Sequence, residues 1–478
     1  MNPLAKSDVQ AGDPLGTPEA RYRLGYLWAI SLVAALGGLL FGYDWVVISG
    51  ADLFYEKYFG LTSSFDIGWA KGCALVGCLL GATLSGMLSD RFGRKRLLIA
   101  SALLFAVSSV GTGWANSYGG FVAWRITGGA AIGLASNLSP MYIAEIAPAA
   151  IRGRLVSMNQ LTIVIGILLA QFVNWLIAEP VPRGATVEEI LKSWNGQFGW
   201  RWMFVATAAP SLVFLAGMFF VPESPRWLAK NGQRDRARGV LARLGGDAYA
   251  GLALADIEAT LVNEVARVNF RDLLEPRLKK VLFLGVALAF LQQWCGINVI
   301  FYYAKDVFAA AGYQVSDILL NIVIIGLANL VFTFVAIGTV ERLGRRFLML
   351  AGWAGLAVIY LLLGGAFAVE QEGLLVVVLV VAAIGCYACT LAPMTWVVLA
   401  EVFPNRIRGA ALSIAVFALW AGCFTLTYSF PWLNQKLGAA GTFWIYAGIC
   451  VLGWSFTWSR LPETKGKTLE TIERELVD

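Results

Sequence analysis

The chain has 478 residues, of which 58% are hydrophobic and 14% are charged, and its formal net charge is +6. Soluble globular proteins carry about 25% charged residues, so this composition excludes a soluble fold for most of the chain and indicates a membrane protein. The lack of histidine excludes histidine metal sites, Ser-His-Asp triads and histidine proton relays, and the small, scattered net charge excludes a nucleic-acid-binding surface.

The N-terminal tail, residues 1–26, is polar, and we expect it to be disordered. Apolar runs then recur that are long enough to cross a bilayer, which takes about 20 residues. We predict about twelve membrane-spanning helices, near residues 27–50, 68–88, 97–115, 121–144, 154–177, 202–221, 280–304, 317–340, 347–368, 374–399, 409–431 and 440–460. The predicted fold class is therefore an all-α membrane protein.

The stretch 223–279 interrupts this series because it is rich in charged residues. We predict a linker with short helices here, between a first half, residues 27–222, and a second half, residues 280–461. A short C-terminal tail, residues 462–478, follows the last predicted span.

Basic residues are concentrated in the short loops on one side of the predicted bundle, as at Arg94, Arg345 and Arg408. The opposite loops carry fewer, and we count Lys71 and Lys305 among them. Since short cytoplasmic loops carry an excess of Lys and Arg, we expect the basic side, the linker and both termini to be cytoplasmic.

Three motifs occur twice, after matching helices of the two halves. GMLSDRFGR at 86–94 matches GTVERLGR at 338–345, EIAPAAIRG at 145–153 matches EVFPNRIRG at 401–409, and PESP at 222–225 matches PETKG at 462–466. The duplication predicts two six-helix halves of the same orientation. Such repeats place a substrate site near the bilayer midplane, between the halves.

These motifs resemble the sugar porter family of the major facilitator superfamily, over nearly the whole chain. The resemblance is carried by FGYDWVVISG at 41–50, DRFGRK at 90–95, SPMYIAEIAPAAIRGRLVSMNQ at 139–160, PESPRWL at 222–228, QQWCGINVIFYYA at 292–304, ERLGRR at 341–346 and PETKGKTLET at 462–471. It is strongest to bacterial sugar–proton symporters of the xylose–proton type and to glucose facilitators. It implies alternating access, a monosaccharide and a proton as partners, no cofactor, and a monomer in a bacterial inner membrane.

Two ionisable residues lie inside predicted spans, Asp44 in the first and Arg125 in the fourth. A charge within a span is costly and is usually paired and functional. The resemblance implies that Asp44 couples sugar to protons, because facilitators have a neutral residue at this position. A nearby arginine lowers the pKa of a carboxylate, whereas separation in a dry cavity raises it. A static structural ion pair is the alternative interpretation.

A sugar offers hydroxyl groups that donate and accept hydrogen bonds, so amide and aromatic side chains suit it. The resemblance implies a substrate-binding set of Phe41, Gln160, Gln292, Gln293, Asn298, Tyr302, Asn329, Trp396 and Trp420. Single amides in a span often form hydrogen bonds between helices instead, and this alternative is strongest for Asn329.

Charges at the predicted cytoplasmic ends of the helices form the third set. The resemblance implies that they make a salt-bridge network that clamps the halves when the cytoplasmic side is closed. The set comprises Asp90, Arg94, Glu145, Arg152, Glu223, Glu341, Arg345, Glu401, Arg408 and Glu463. Charges near the membrane interface can instead serve only to anchor topology.

The chain departs from the family pattern at Ala392, Leu419 and Thr207, where a glycine, a polar amide and a glutamate are usual. These departures leave the identity of the sugar open. The favoured function is proton-coupled symport; a passive facilitator, a membrane sugar sensor and, last, a membrane enzyme are the alternatives. The sparse ionisable set in the spans offers no nucleophile–base pair, so we do not expect an enzyme.

Overall fold

The computed structural model describes residues 22–148, 151–182, 185–263, 275–403 and 408–465. Every regular element in these ranges is a helix. The α-helices are α1 Leu24–Tyr58, α2 Ser64–Phe92, α3 Arg94–Gly113, α4 Tyr118–Ile146, α5 Arg152–Ile177, α6 Val187–Lys192, α7 Trp200–Ala206, α8 Ala208–Phe220, α9 Pro225–Lys230, α10 Arg234–Asn263, α11 Pro276–Trp294, α12 Ile297–Tyr302, α13 Ala304–Ala309, α14 Val315–Leu343, α15 Arg345–Ala368, α16 Leu374–Cys389, α17 Leu391–Val402 and α18 Arg408–Arg460. A π-helical turn, Asn195–Gly199, precedes α7.

Ten helical stretches in the described residues are long and apolar enough to cross a membrane. The last of them, Ala410–Arg460, is 51 residues long and would extend about 75 Å as one straight helix, at 1.5 Å per residue. It makes two crossings because Gly438 breaks α18 with φ 67° and ψ 176°. Helix α4 is 29 residues long and adds a crossing that carries Arg125 and Glu145. The arrangement matches the predicted twelve-helix fold.

Helices of the first half approach each other closely at small residues. A Cβ atom added to Gly129 of α4 would lie 1.9 Å from the carbonyl oxygen of Ala74 on α2, and one on Gly133 would lie 2.2 Å from that of Cys78. Any larger residue at these two positions would force the helices apart. Small residues serve this purpose in membrane helices because lipid provides no hydrophobic drive for helix association.

The largest contacts between the two halves are made by two helix pairs. Helix α2 packs against α18, and α5 packs against α14. At the first contact a Cβ on Gly68 would lie 2.4 Å from the carbonyl oxygen of Tyr428, and Ser64 Oγ donates to Gln435 Oε1 at 2.5 Å. The central region between these two contacts is where the candidate site lies.

Three of the crossings are interrupted. The crossing made by α11 and α12 is broken at Gly296, which has φ 90° and ψ −8°. Tyr303, directly after α12, has φ −123° and ψ 31°. Helices α16 and α17 are separated by Thr390, with φ −127° and ψ −86°, and α7 and α8 meet at Thr207. Broken helices at membrane depth free backbone groups to line a binding site.

The charged stretch between the halves contains α9 and α10, and Gly246 divides α10 with φ 85° and ψ 172°. The backbone N–H of Arg23, just before α1, donates to the carbonyl of Leu244 at 2.9 Å. The start of the first crossing is therefore attached to this stretch.

Candidate functional site

A small cavity lies between the halves in the middle of the bundle. It brings together α1, α2 and α4 of the first half with α12 and α18 of the second. The residues that line it are Phe41, Asp44, Trp45, Ala74, Leu75, Cys78, Arg125, Ile132, Tyr302 and Trp420. Four other residues of the predicted proton and sugar sites therefore line the same cavity as Asp44: Phe41, Arg125, Tyr302 and Trp420.

Asp44 and Arg125 form an ion pair in this cavity. Arg125 Nη1 donates to Asp44 Oδ1 at 2.6 Å, and the two side chains are 3% and 8% exposed. The Arg125 guanidinium also lies over the ring of Phe204, 5.4 Å from its centroid. Its Nε has no hydrogen-bond partner within the described part of the chain. Asp44 is thus the group that compensates the buried guanidinium, as such a charge requires.

The amides of helix α11 and the segment after it are joined in a chain of hydrogen bonds. Asn298 Nδ2 donates to Gln293 Oε1 at 2.6 Å, and Gln293 Nε2 donates to Gln292 Oε1 at 2.7 Å. Gln292 Nε2 in turn donates to the hydroxyl of Tyr387 on α16. Asn298 Oδ1 has no partner among the described residues. A sugar that binds these amides has to replace part of this chain.

Aromatic rings form part of the cavity wall. The ring of Phe41 lies 5.6 Å from that of Trp420, across the boundary between the halves, in an edge-to-face arrangement. Trp45 lies 5.9 Å from Phe41 and 5.9 Å from Tyr302, centroid to centroid. Trp45 did not enter the predicted set, although it directly follows Asp44 in the FGYDW motif. The rings provide apolar faces against which a sugar ring can stack.

Neither the three amides nor the remaining predicted sugar ligands line this cavity. Gln160 is half-buried on α5, Asn329 is buried on α14, and Trp396 on α17 is 44% exposed. Of the departures from the family pattern, Leu419 and Thr207 are buried. Thr207 Oγ1 has no hydrogen-bond partner in the described ranges.

The basic face is the end of the bundle where α1 begins and α2 ends. There Arg94 donates through Nη2 to Glu145 Oε1 at 2.9 Å and through Nη1 to Asp90 Oδ1 at 3.3 Å. Glu223 accepts the backbone N–H groups of Arg94 and Lys95 at 3.0 and 3.1 Å. All of these residues belong to the first half or follow it directly.

The second half repeats this arrangement. Arg345 Nη2 donates to Glu401 Oε1 at 3.2 Å. Glu463 accepts the backbone N–H groups of Arg345 and Arg346 at 3.0 and 3.1 Å. Burial raises the pKa of Glu463, but the backbone donors outweigh it and the pKa falls below its usual value. The ion pairs of Arg94 and Arg345 thus each stay within one half.

The structure describes the side chain of one further member of the predicted clamp, Arg152. Arg152 Nη2 donates to the carbonyl oxygen of Ala147 at 3.4 Å, within its own half. The side chains of Glu341 and Arg408 lie outside the described residues. A clamp across the basic face therefore remains a prediction for another conformation.

The opposite face, where α1 ends and α2 begins, holds a cluster that the sequence did not reveal. Lys71, counted among loop charges, lies inside α2 with a side chain that is 0% exposed, and that assignment was wrong. It pairs with Asp52 of α1 and lies 3.7 Å from Glu56 and 3.9 Å from Asp306 of α13. Lys305 of α13 pairs with Glu56. The available signal was Lys71, a charged residue inside the predicted span 68–88.

Comparison with known proteins gives a consistent result. The model of the family described as "Sugar (and other) transporter" matches residues 30–476. The D-xylose-proton symporter of Escherichia coli (strain K12) is 39% identical to this chain, and the match covers 95% of this chain and 96% of the symporter. The arabinose-proton symporter of Bacillus subtilis (strain 168) is 37% identical over 95% of this chain and 96% of its own.

A solved structure matches the fold as well. It is the inward open conformation of the xylose transporter XylE from E. coli, with a TM-score of 0.82 and 38% sequence identity. The match covers 94% of this chain and 100% of that one.

Proposed function

This chain belongs to the sugar transporter family, and from that premise we propose that it is a proton-coupled monosaccharide symporter that works by alternating access. The observation that carries the proposal is the buried Asp44–Arg125 pair in a cavity between the two halves. Its relatives named above are described as xylose–proton and arabinose–proton symporters. We propose a hexose or a pentose as the substrate of this chain.

Asp44 is the proposed proton carrier and Arg125 its partner. Contact with the guanidinium and binding of a proton are two alternative ways to neutralise the buried carboxylate of Asp44. A conformational change that separates the two residues leaves the proton as the remaining way to neutralise that buried charge. Binding and release of the proton are thereby tied to the conformation that admits the sugar.

The proposed sugar site combines the amide chain with the aromatic wall. Gln292, Gln293 and Asn298 supply both donors and acceptors, which matches the hydroxyl groups of a sugar. Phe41 and Trp420 belong to different halves and lie in ring contact. A sugar between them would touch both halves at once, which is what a ligand needs in order to bias their relative position. Gln160, Asn329 and Trp396 complete the proposed set.

We propose that the basic face is cytoplasmic, with both termini on that side, in a bacterial inner membrane. The excess of Lys and Arg at this face supports the orientation. We propose further that the halves 27–222 and 280–461 move as units, with 223–279 as the connecting stretch, and that one chain suffices for transport.

An inward-facing state is the proposed conformation of the present structure. The ion pairs support this proposal. At the basic face, Arg94 and Arg345 pair within their own halves, whereas at the opposite face Lys305 pairs with Glu56 of the other half. The similar structure named above is an inward open conformation.

The test is sugar uptake into proteoliposomes with and without an imposed inward proton gradient. Xylose, arabinose and glucose are the labelled substrates, and Asp44→Asn is compared with the matched control Asp66→Asn, whose carboxylate is exposed at the start of α2. We expect the gradient to drive accumulation in the parent and in the control. Asp44→Asn should lose accumulation and retain sugar exchange.

Equal, gradient-independent equilibration in all three proteins would contradict symport and identify a passive facilitator. Sugar binding without any uptake would contradict transport itself and favour a sensor.

A further inference from the structure

The charged cluster at the opposite face, here called the opposite-face cluster, consists of Asp52, Glu56, Lys71, Lys305 and Asp306. The first three lie on α1 and α2 of the first half and the last two on α13 of the second half. Lys71 contacts Asp52 on its own half and approaches Asp306 across the boundary at 3.9 Å. Lys305 pairs with Glu56 and approaches Asp52 at 3.9 Å across the same boundary. The contacts therefore tie the halves together.

The core of this cluster is deeply buried and electrically balanced. The side chains of Lys71 and Asp52 are 0% exposed, those of Glu56 and Lys305 are 11% and 14% exposed, and together they carry two charges of each sign. Well-packed apolar residues often stabilise a protein as much as a buried ion pair does. The four buried and balanced charges are therefore better explained by a role in switching between two conformations than by stability alone.

Lys71 also connects the cluster to the central cavity. Its Nζ donates to the carbonyl oxygen of Tyr302 at 3.1 Å and lies 3.9 Å above the ring of Tyr303. The side chain of Tyr302 lines the cavity that holds Asp44 and Arg125. The same ammonium group thus holds one end of the short helix α12, and it does so from the other half of the molecule.

Helix α12 is able to move as a short unit. Gly296 precedes it with φ 90° and ψ −8°, and Tyr303 follows it with φ −123° and ψ 31°. These two breaks separate α12 from α11 and α13. Since Lys71 binds the backbone at the second break, loss of that contact would release α12 together with the wall of the cavity it forms.

We propose that the opposite-face cluster is a lock that keeps the sugar site closed toward the opposite face, with Lys71 as its positioning residue. The closed lock pulls α12 over the cavity. Opening it separates Lys71 and Asp52 from Lys305 and Asp306 and exposes the site on that side. The inference rests on the alternating-access function proposed above and adds the residues that control one of its two gates.

Water has access to the outer part of the lock. A cleft of about 240 Å³ is lined by Asp52, Glu56, Lys57, Lys305 and Asp306, together with Tyr313 and Gln314. Charges that separate during opening can be solvated from this cleft. The exposure of Asp306, at 33%, fits a group at the entrance.

The test uses Cys78, which lines the central cavity on α2, as a native reporter. Its reaction with a membrane-impermeant maleimide is measured in a Cys73→Ala background, with peptide mass spectrometry separating it from the other cysteines. Right-side-out and inside-out vesicles report the two sides. The assay requires neither sugar nor a proton gradient, so its result is independent of whether symport through Asp44 holds.

The variants are Lys71→Met and the charge-balanced Lys71→Met/Asp52→Asn. The matched control is Lys192→Met/Glu188→Gln, which removes an ion pair whose two side chains are each 76% exposed. In the two lock variants we expect Cys78 to react about tenfold faster than in the parent from the opposite face, and more slowly from the basic face. The control should match the parent on both sides.

Two results would overturn the lock. Unchanged reactivity from both sides, in a variant that remains monodisperse and melts cooperatively, would identify a static ion-pair cluster. Faster reaction from both sides would identify a purely structural role, because a loosened fold exposes Cys78 in both directions. If Lys71→Met alone fails to fold, the charge-balanced variant decides between these outcomes.

Discussion

The two ends of the molecule use charged residues in opposite ways. At the basic face, Arg94 and Arg345 bind acids of their own half, and each half contains the same constellation. At the opposite face, Lys71 and Lys305 reach acids of the other half, and the described residues contain one such cluster. In this conformation the pairs within a half stabilise that half, whereas the pairs between halves favour this conformation over the other. The same chemistry therefore supports rigidity at one end and switching at the other.

Among the variants that test this comparison, we expect Arg94→Met to lower thermal stability the most. Arg94 makes side-chain hydrogen bonds to Glu145, Asp90 and the carbonyl of Ser89, and its side chain is 8% exposed. Removing one partner of a buried ion pair costs roughly 3–5 kcal/mol, so we expect a marked drop in thermal stability. Cys78 reactivity should not shift from one side to the other, in contrast to Lys71→Met.

The equivalent change in the second half, Arg345→Met, is the matched control. The Arg345–Glu401 pair is longer and its side chains are 19% and 22% exposed, so the loss should be smaller than for Arg94→Met. Thermal unfolding of the purified proteins measures both. A shift in sidedness with either variant would break the distinction between the two faces.

A smaller effect is expected at the glycines that precede these arginines. Gly93 and Gly344 have φ 89° and 88°, a conformation that other residues rarely adopt. A Cβ at Gly93 would lie 2.4 Å from Glu223 Oε2, and one at Gly344 would lie 2.8 Å from Glu463 Oε2. We expect Gly93→Ala to destabilise by about 1–3 kcal/mol and Gly344→Ala by less. Equal melting temperatures for Gly93→Ala and the parent would contradict this reading of the turn.

The smallest effect concerns pH at the basic face. The pKa of Glu463 in the folded protein lies below its ordinary value of 4.5, because backbone N–H donors outweigh the effect of burial. A carboxylate with a depressed folded pKa contributes stability above its unfolded pKa and loses it as pH falls through the folded pKa. The melting temperature of the parent should therefore fall more steeply on acidification below 4.5 than that of Glu463→Gln. Parallel curves would show that the donors to Glu463 contribute nothing.

Much of this arrangement can be predicted from the sequence, because duplication is visible in it. The repeated motifs identify the two halves, and the rarity of charges within spans singles out Asp44 and Arg125, which lie in contact. The amides of α11 also stand out by their type. Their mutual hydrogen bonds do not, since these depend on the break at Gly296 and on Tyr387 from a distant helix.

The opposite-face cluster could not be predicted in the same way. It joins α1 and α2 to α13, and α1 and α13 both belong to the first crossing of their half, but none of the repeated motifs includes its residues. Lys71 lies near a helix end in the sequence and resembles a loop charge there. In the structure it is buried between Asp52 of α1, Tyr302 at the end of α12 and Asp306 of α13. Contacts between the halves depend on their relative position, which the local pattern does not specify.

The helical corner in α18 has a practical consequence for protein engineering. Gly438 has a non-helical backbone, with φ 67° and ψ 176°, and separates two helices within α18, so the last two crossings are joined at a single residue. Each inserted residue would turn one crossing by about 100° relative to the other, and a tag placed there would disturb both. The connection that contains α6, between Ile177 and Trp200, includes a capped and exposed helix of its own. It is the better site for an epitope or a fluorophore that reports on the opposite face.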